Sequence, residues 1–478
     1  MIFERIFKNS SIALIIGLLF YGALFIYRYH QFPYFISSSY FAFNNDAFYW
    51  SWCAKELVEN GYVDFDNPAL ISEGRNPYFQ GCFFSPGYTA IAYLTFKMFG
   101  INLRLLQIII FIVMLINLIL FFRILLKWTN DPFITSFVFF LFVMNPYITS
   151  FSFAIRPDPF ALTFILLSIL RTLEKKPLNS SLFFIIGAFI FKQNYLALVG
   201  LPVYFLIKKA SSWEEKIKLT IKFLIPLFIT ALLYYFIVYS YLQTAFPDML
   251  QYLSKSNTIP LLKALKADKF KLAFNLPLII GLFSCTGMVY LMGLFATFIF
   301  NFRIIPPLAK RSFNPIFLHF GLAELALRFK FFRKSLPFLT ILYLPVSFAF
   351  LQADFKYTDL ETKLSMKIIN YANEGKKICS TNAPSGGYLL SFYTHEGNLK
   401  KNLTFKFIYK ITPNNLKLLS DCEVVILNQS ETLPNLSPAL INKIVITFPS
   451  PNFIIRNIIR SRLKNLLFPS LYNFQSRN

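Results

Sequence analysis

Four ionisable residues stand at the ends of apolar segments, where acid–base and phosphate chemistry would need them. They are Asp46, Arg156, Asp158 and Lys192. A carboxylate can take a proton from an attacking hydroxyl, and a lysine or arginine can hold a leaving phosphate. An ionisable group at membrane depth costs about 2.5–3.5 kcal/mol, so each one invites a functional hypothesis. Acids and cations on one face therefore favour chemistry on an anionic, lipid-linked substrate.

Each of these residues also has a purely structural interpretation. Asp46 is suited to cap the helix that follows it. Arg156 and Asp158 can form an interfacial ion pair ahead of a helix that begins with proline. Lys192 can extend its charged end to the membrane surface while its stem lies in lipid. The sequence leaves both interpretations open at every position.

The segment 44–104 lies between the first two apolar spans and is too polar to be either. An asparagine cap and a helical spacing of apolar residues predict a helix that holds Asp46 in its first turn and stops at Gly61. The pattern predicts a helix lying flat on the membrane surface, with Trp50 and Trp52 at the headgroups. Three charged residues are predicted off its apolar face: Lys55, Glu56 and Glu59.

A second short helix is predicted over Pro86 to Phe99. Its fourteen residues would extend about 21 Å, whereas the hydrocarbon core of a bilayer is about 30 Å thick. The length predicts an interfacial or half-inserted helix.

The composition indicates a polytopic α-helical membrane protein, since 56% of residues are hydrophobic and the mean hydropathy is +0.53. The net charge of +24 lies mostly in short loops, where it sets orientation and meets anionic lipid. Nucleic-acid binding is the weaker interpretation of this charge, because no basic soluble domain stands apart, and no nucleic-acid partner is expected. About nine spans are predicted, at 11–27, 105–126, 132–153, 159–173, 181–191, up to Lys208, up to Tyr241, 276–300 and 335–351.

Basic residues before the first span and after alternate spans predict a cytoplasmic N-terminus. The loop 28–104 is then outside, the basic loop up to Lys222 is inside, and a lysine-bearing loop 242–275 is outside. The run 314–327 is predicted to be a half helix. The C-terminal domain is then outside, although a full span at 314–327 would reverse its side.

Three domains follow from this pattern: a membrane domain at 1–351, a small α/β domain at 352–450 and a basic amphipathic tail at 451–478. Helices are predicted over 358–373 and 414–419, and buried strands over 377–381 and 423–427.

The five cysteines show no metal-binding spacing. Cys53 and Cys82 share the outer loop and are predicted to pair if that side is oxidising, whereas Cys379 and Cys422 fit buried strand positions.

Five short motifs follow one another in the first 210 residues. In order they are Asp46-Ala47-Phe48-Tyr49-Trp50 with Ala54, Leu57 and Gly61; Ser85-Pro86-Gly87-Tyr88 to Phe99-Gly100; Arg104; Arg156-Pro157-Asp158; and Phe191-Lys192-Gln193. Their order and spacing resemble those of the GT-C membrane glycosyltransferases. The resemblance is strongest to bacterial relatives of the protein O-mannosyltransferases and of the lipid A aminoarabinose transferase.

The resemblance implies transfer of a sugar from a polyprenyl-phosphate donor to a lipid, glycan or protein, with inversion, on the periplasmic face of a bacterial inner membrane. Asp46 and Asp158 match the family's two loop acids, and Tyr49 falls in its first motif. Family members often carry Lys-Pro-Pro or Pro-Pro where this chain has Ser85-Pro86-Gly87. Arg156 would then help to bind the donor phosphate, and the main cation would be Arg75, Arg104, Lys192 or one of the lysines of 255–271. Some members use a divalent metal.

Two other function classes share these substrates. A transporter or flippase of lipid-linked saccharides would place charges along a central path and often shows inverted repeats, and no repeat is visible. A glycan polymerase or ligase would be expected to use arginine-rich outer loops. Convergence of Asp46, Asp158 and Lys192 on one cavity would favour the transferase.

Overall fold

The structure is a computed structural model of the full chain. It describes residues 10–31, 46–63, 85–145, 148, 155–245, 276–299, 314–380, 405–407, 421–428 and 442–448. The chain divides into two compact units. One comprises Met1–Ile26, Phe84–Tyr88 and Gln107–Ser347, and the other comprises Tyr27–Phe83, Thr89–Leu106 and Phe348–Asn478.

Helices dominate the described residues. Up to residue 209 they are α1 (Ser10–Gln31), α2 (Asp46–Glu59), α3 (Pro86–Phe99), α4 (Leu103–Thr129), α5 (Pro132–Val143), α6 (Asp158–Leu173), α7 (Pro177–Ile185) and α8 (Gly200–Lys209). The later ones are α9 (Trp213–Ala245), α10 (Leu276–Gly281), α11 (Cys285–Ile299), α12 (Leu318–Arg328) and α13 (Lys330–Asn373). Two of these helices contain stretches long and apolar enough to cross a membrane, Leu103–Thr129 and Trp213–Ile237.

Several predicted spans differ from the observed helices. The inner connection predicted up to Lys222 is helical from Trp213 onward, with Glu214 and Glu215 in the first turn of α9. The predicted span over 276–300 is broken between α10 and α11. There the backbone N–H of Ser284 donates to the carbonyl of Gly281 (3.3 Å), which closes a turn. At 314–328 a short 3₁₀ turn leads into α12, whose side chains are mostly buried.

The ends of several helices in the first unit are joined by ion pairs. Glu174, just after α6, accepts from Lys127 at the end of α4 (3.0 Å) and from Arg171 (2.6 Å). These hydrogen bonds, chiefly the one from Arg171, lower the pKa of Glu174. Lys175 pairs with Glu215 in the first turn of α9 (2.9 Å). Basic residues that the sequence places in inner loops therefore meet at the same end of α6.

In the second unit, α2 has the predicted bounds, and Gly61 ends it with a φ of +77°, a conformation that glycine adopts without strain. Lys55 and Glu56, which are predicted to lie off the apolar face, are nevertheless buried, at 0% and 3% exposed. Lys55 Nζ lies 3.5 Å from Glu59, and Glu56 accepts from the amide of Asn60 (2.8 Å). Helical spacing alone does not reveal partners that bury a charge.

The C-terminal part forms a small parallel sheet of β1 (Ile378–Ser380), β2 (Phe405–Phe407), β3 (Val424–Asn428) and β4 (Ile444–Phe448), in the order β2-β1-β3-β4. Its core packs against the last turns of α13, which supply Ile368 and Ala372. The helix predicted over 358–373 is confirmed as the end of α13, and the predicted strands at 377–381 and 423–427 are confirmed as β1 and β3. The predicted helix at 414–419 and the tail at 451–478 lie outside the described residues.

Cysteine pairing differs in part from the expectation. Cys379 and Cys422 are buried as predicted, and they also form a disulfide that the sequence did not predict. Cys53 is disulfide-bonded, and Cys82, its predicted partner, lies outside the described residues. Cys285 is free and exposed.

Candidate functional site

The first turn of α6 holds Asp158. Pro157 precedes the helix and Pro159 follows Asp158, which suits a helix start because proline lacks the N–H that would have no partner there. The Asn117 side chain in α4 donates to the carbonyl of Pro159 (2.8 Å) and anchors this turn. A carboxylate in the first turn is favoured by the helix dipole.

Lys192 follows an irregular stretch beyond α7. A π-helical segment covers Ile186–Phe191, and Lys192 itself is extended, with φ −160° and ψ 111°. A 3₁₀ segment, Gln193–Leu198, comes next. The Phe191 ring stacks with Phe160 (5.6 Å between centroids), which brings the end of this stretch beside the start of α6.

Arg156, Asp158 and Lys192 meet in one buried cluster. Arg156 Nε donates to Asp158 Oδ2 at 2.9 Å, and Lys192 Nζ donates to the same oxygen at 2.5 Å. The three residues are 1%, 0% and 5% exposed. Both cations have further interactions, whereas Asp158 Oδ1 has no hydrogen-bond partner among the residues that the structure describes.

The Ser85-Pro86-Gly87-Tyr88 motif packs against the same stretch. A Cβ atom on Gly87 would lie 2.6 Å from a methyl of Ile190 and 3.1 Å from the ring of Phe191, so only glycine fits this approach. Tyr88 is buried, and its ring centroid lies 6.1 Å from that of Phe160. The starts of α3 and α6 and the end of the π-helical segment therefore surround the cluster.

The other predicted site residues lie in the second unit. Asp46 begins α2 and Tyr49 lies in its first turns, but the structure does not describe their side chains. Arg104 stacks on the Tyr29 ring at 4.1 Å and donates to the Tyr29 carbonyl at 2.8 Å. These contacts give Arg104 a role in packing. Arg75 and the lysines of 255–271 lie outside the described residues.

A divalent metal does not fit the Asp158 carboxylate. One of its oxygens already accepts hydrogen bonds from two cations, which would repel a second positive centre. Within the described part of the chain, no group of three or more His, Cys, Asp or Glu side chains is arranged to hold a metal ion. The cluster is suited instead to hold anionic oxygens beside a carboxylate.

Sequence reasoning missed two polar contacts that support the cluster. Asn117 is fully buried in the middle of the apolar helix α4. A polar residue at such a position indicates a hydrogen bond to a neighbouring helix, so the sequence alone could have predicted this contact. Gln193 donates through its amide to the hydroxyl of Tyr234 on α9. No sequence pattern pairs residues 41 positions apart.

A second buried charge, Glu324 on α12, has a structural explanation. Its carboxylate accepts from the backbone N–H (2.8 Å) and the hydroxyl (2.7 Å) of Thr286, in the first turn of α11. The hydroxyl of Tyr204 (2.5 Å) and the guanidinium of Arg328 (2.6 Å) donate to its other oxygen. Glu324 thus caps α11 from a neighbouring helix.

Comparison with protein-family models and with curated proteins finds no match to this chain.

Proposed function

We propose that the chain is an integral-membrane glycosyltransferase that moves a sugar from a polyprenyl-phosphate donor to a lipid, glycan or protein acceptor on the extracytoplasmic face. The observation that carries the proposal is the buried cluster of Arg156, Asp158 and Lys192. Removing three charges from water is costly, and ionisable groups gathered in this way mark functional sites more often than random positions do. The resemblance to GT-C enzymes supplies the reaction class.

We propose that the chain crosses the membrane several times, with about nine spans, and the exposed apolar surface of helix α9 supports its insertion into lipid. Helix α9 buries a narrow face, including Phe223 and Leu227. Most of its other large side chains are exposed, among them Ile221, Ile225, Phe228, Ile229, Leu233, Phe236 and Ile237. An exposed apolar surface of this extent is unfavourable in water and favourable in lipid.

The disulfides support an extracytoplasmic location for the small sheet and for helix α2. Disulfides persist in oxidising compartments and are rare in the cytosol. Cys379 pairs with Cys422 beside the sheet, and Cys53 on α2 is disulfide-bonded. Both regions are proposed to face the periplasm or exterior of a bacterial inner membrane.

In the proposed mechanism, the acceptor hydroxyl oxygen attacks the anomeric carbon of the sugar as the bond from that carbon to the phosphate oxygen breaks. The hydroxyl proton passes to the carboxylate of Asp46. Attack from the side opposite the leaving group inverts the anomeric centre. Polyprenyl phosphate leaves as an anion.

The cluster would act on the phosphate and the acceptor. Lys192 and Arg156 stabilise the negative charge that grows on the leaving phosphate, since fixed cations in a site shielded from water act strongly. Asp158 holds these cations through Oδ2. Its Oδ1 would orient the acceptor by accepting a hydrogen bond from a second hydroxyl of that molecule, not from the one that attacks.

The proposal is tested with the purified protein in nanodiscs that contain undecaprenyl-phosphate-linked glucose, mannose or arabinose, together with native membrane extract as the acceptor source. Release of undecaprenyl phosphate is followed by mass spectrometry. We expect release from at least one donor. If every donor stays intact while a fluorescent donor crosses between leaflets, the protein is a transporter and the proposal is wrong.

A further inference from the structure

Lys192 lies between two stretches of irregular backbone. Its N–H donates to the carbonyl of Gly187 at 3.0 Å, and its own carbonyl accepts from the N–H of Tyr195 at 3.2 Å. The first bond belongs to the π-helical segment and the second to the 3₁₀ segment. The backbone hydrogen bonds of such segments have poorer geometry than those of an α-helix, and the segments often occur at functional positions. The position of Lys192 therefore depends on the side chains on either side of it.

Tyr234 contacts a residue on each side of Lys192. Its ring lies 5.2 Å from that of Phe189, and its hydroxyl accepts a hydrogen bond from the amide nitrogen of Gln193. Gln193 is 3% exposed, and its amide oxygen has no hydrogen-bond partner among the described residues. Tyr234 is therefore the polar partner that the described part of the chain offers to this buried amide.

Side chains alternate in direction along extended backbone. Lys192 is extended, and its ammonium group meets Asp158 on α6, whereas the amide of Gln193 meets Tyr234 on α9. The two contacts tie neighbouring residues to different helices. A shift of Gln193 away from Tyr234 would therefore carry the backbone of Lys192 with it.

We propose that Tyr234 is a positioning residue that holds Lys192 against Asp158 through Gln193. The inference rests on the proposed function, in which Lys192 binds the donor phosphate. In this role Tyr234 acts through Gln193 and the segment that follows the π helix. Helix α9, most of whose large apolar side chains are exposed, thereby affects the phosphate site through Gln193.

The test uses Tyr234→Phe, which keeps the aromatic contact with Phe189 and removes one hydroxyl. The intact protein in nanodiscs is treated with acetic anhydride. The rate of acetylation at Lys192, measured by mass spectrometry of the peptide that contains it, reports the exposure of Lys192. We expect acetylation of Lys192 to rise about 5–20-fold. The free energy lost when a buried group loses its hydrogen-bond partner corresponds to a change in population of about this size. Tyr235→Phe, on the same helix and 42% exposed at Tyr235, is the matched control and should leave the rate unchanged.

A second variant separates positioning from general stability. Tyr234→Phe combined with Gln193→Met removes the unpaired buried amide, so thermal stability should return toward that of the wild type. If Tyr234 positions Lys192, acetylation of Lys192 and weakened binding of undecaprenyl phosphate should persist in this double variant. Recovery of the wild-type acetylation rate along with stability would overturn the inference, as would an unchanged rate in Tyr234→Phe.

The proposed function and this inference fail separately. Wild-type protein that does not bind undecaprenyl phosphate contradicts the transferase proposal. The acetylation rate of Lys192 requires no ligand and decides the positioning role by itself.

Discussion

The Nζ atom of Lys192 lies 2.5 Å from Oδ2 of Asp158, although the two residues are 34 positions apart. The contact joins the end of a π-helical segment to the first turn of α6, at the opposite end of α6 from the ion pairs around Glu174. Sixteen residues of α6 separate these ends by about 24 Å. The start of α6 therefore carries a buried charged cluster, and the end of α6 carries a second, partly exposed one.

Substitutions in the buried cluster should affect stability unequally. Asp158→Asn removes the charge that pairs with both Arg156 and Lys192, and it should lower the free energy of unfolding by about 3–5 kcal/mol. Lys192→Met removes the charge-assisted hydrogen bond to Asp158 and should cost about 1.5–3 kcal/mol. Denaturant unfolding in detergent micelles checks the order. Losses below 1 kcal/mol for both variants would contradict a tightly paired cluster.

Glu324→Ala should destabilise the helical unit by about 3 kcal/mol. The change removes the acceptor of the Thr286 N–H and hydroxyl, and it leaves Arg328 without its carboxylate partner. Asp359→Ala is the control, because Asp359 forms an exposed pair with Lys363 and should cost at most about 0.5 kcal/mol. Thermal unfolding of the two variants compares them. Equal melting temperatures would show that α11 needs no cap from α12.

The pair Cys379→Ser and Cys422→Ser should destabilise the C-terminal sheet by about 2–4 kcal/mol. The disulfide closes a chain separation of 43 residues, and a loop of that size restricts the unfolded state appreciably. Cys285→Ser is the matched control, since Cys285 is free and exposed. Protease resistance of the sheet, with and without reductant, provides the measurement. Equal resistance of all three proteins would mean that the disulfide does not hold the sheet.

Labelling of single cysteines in intact cells tests the proposed topology. Cysteines introduced at positions 70 and 395 should react with a membrane-impermeant maleimide, and a cysteine in place of Lys216, on the predicted inner side, should not. Protection of position 70 would refute the orientation. Protection of position 395 alone would mean that the 314–328 region crosses the membrane.

Local patterns predicted much of the helical framework. The bounds of α2 and α3 follow from a cap, a proline start and glycine stops, all of which act within one helical turn. The placement of Arg156, Asp158 and Lys192 at ends of apolar segments also follows from the sequence. The sequence could not predict that these three residues contact one another, because that contact depends on how α6 and the π-helical segment pack.

Long-range features lay beyond the sequence patterns. Lys55 is charged but fully buried, and helical spacing alone placed it off the apolar face. The pairing of Cys379 with Cys422 depends on the order of the parallel strands. The continuous helix α13 runs past Gln352, where a change from apolar to polar residues suggested a boundary. In each case, packing between distant segments decides the outcome.

The most direct test of the central claim is the rate of sugar transfer by Asp46→Asn, measured as release of undecaprenyl phosphate from the donor that the wild type accepts. Asparagine keeps the size of the side chain, so a purely structural Asp46 should tolerate the change at about 0.3–1 kcal/mol of stability. A catalytic base should lose about 10²–10⁴ in rate while the protein stays inserted and folded. We predict that loss. Transfer at a near-normal rate would contradict Asp46 as the base and leave Asp158 as the candidate.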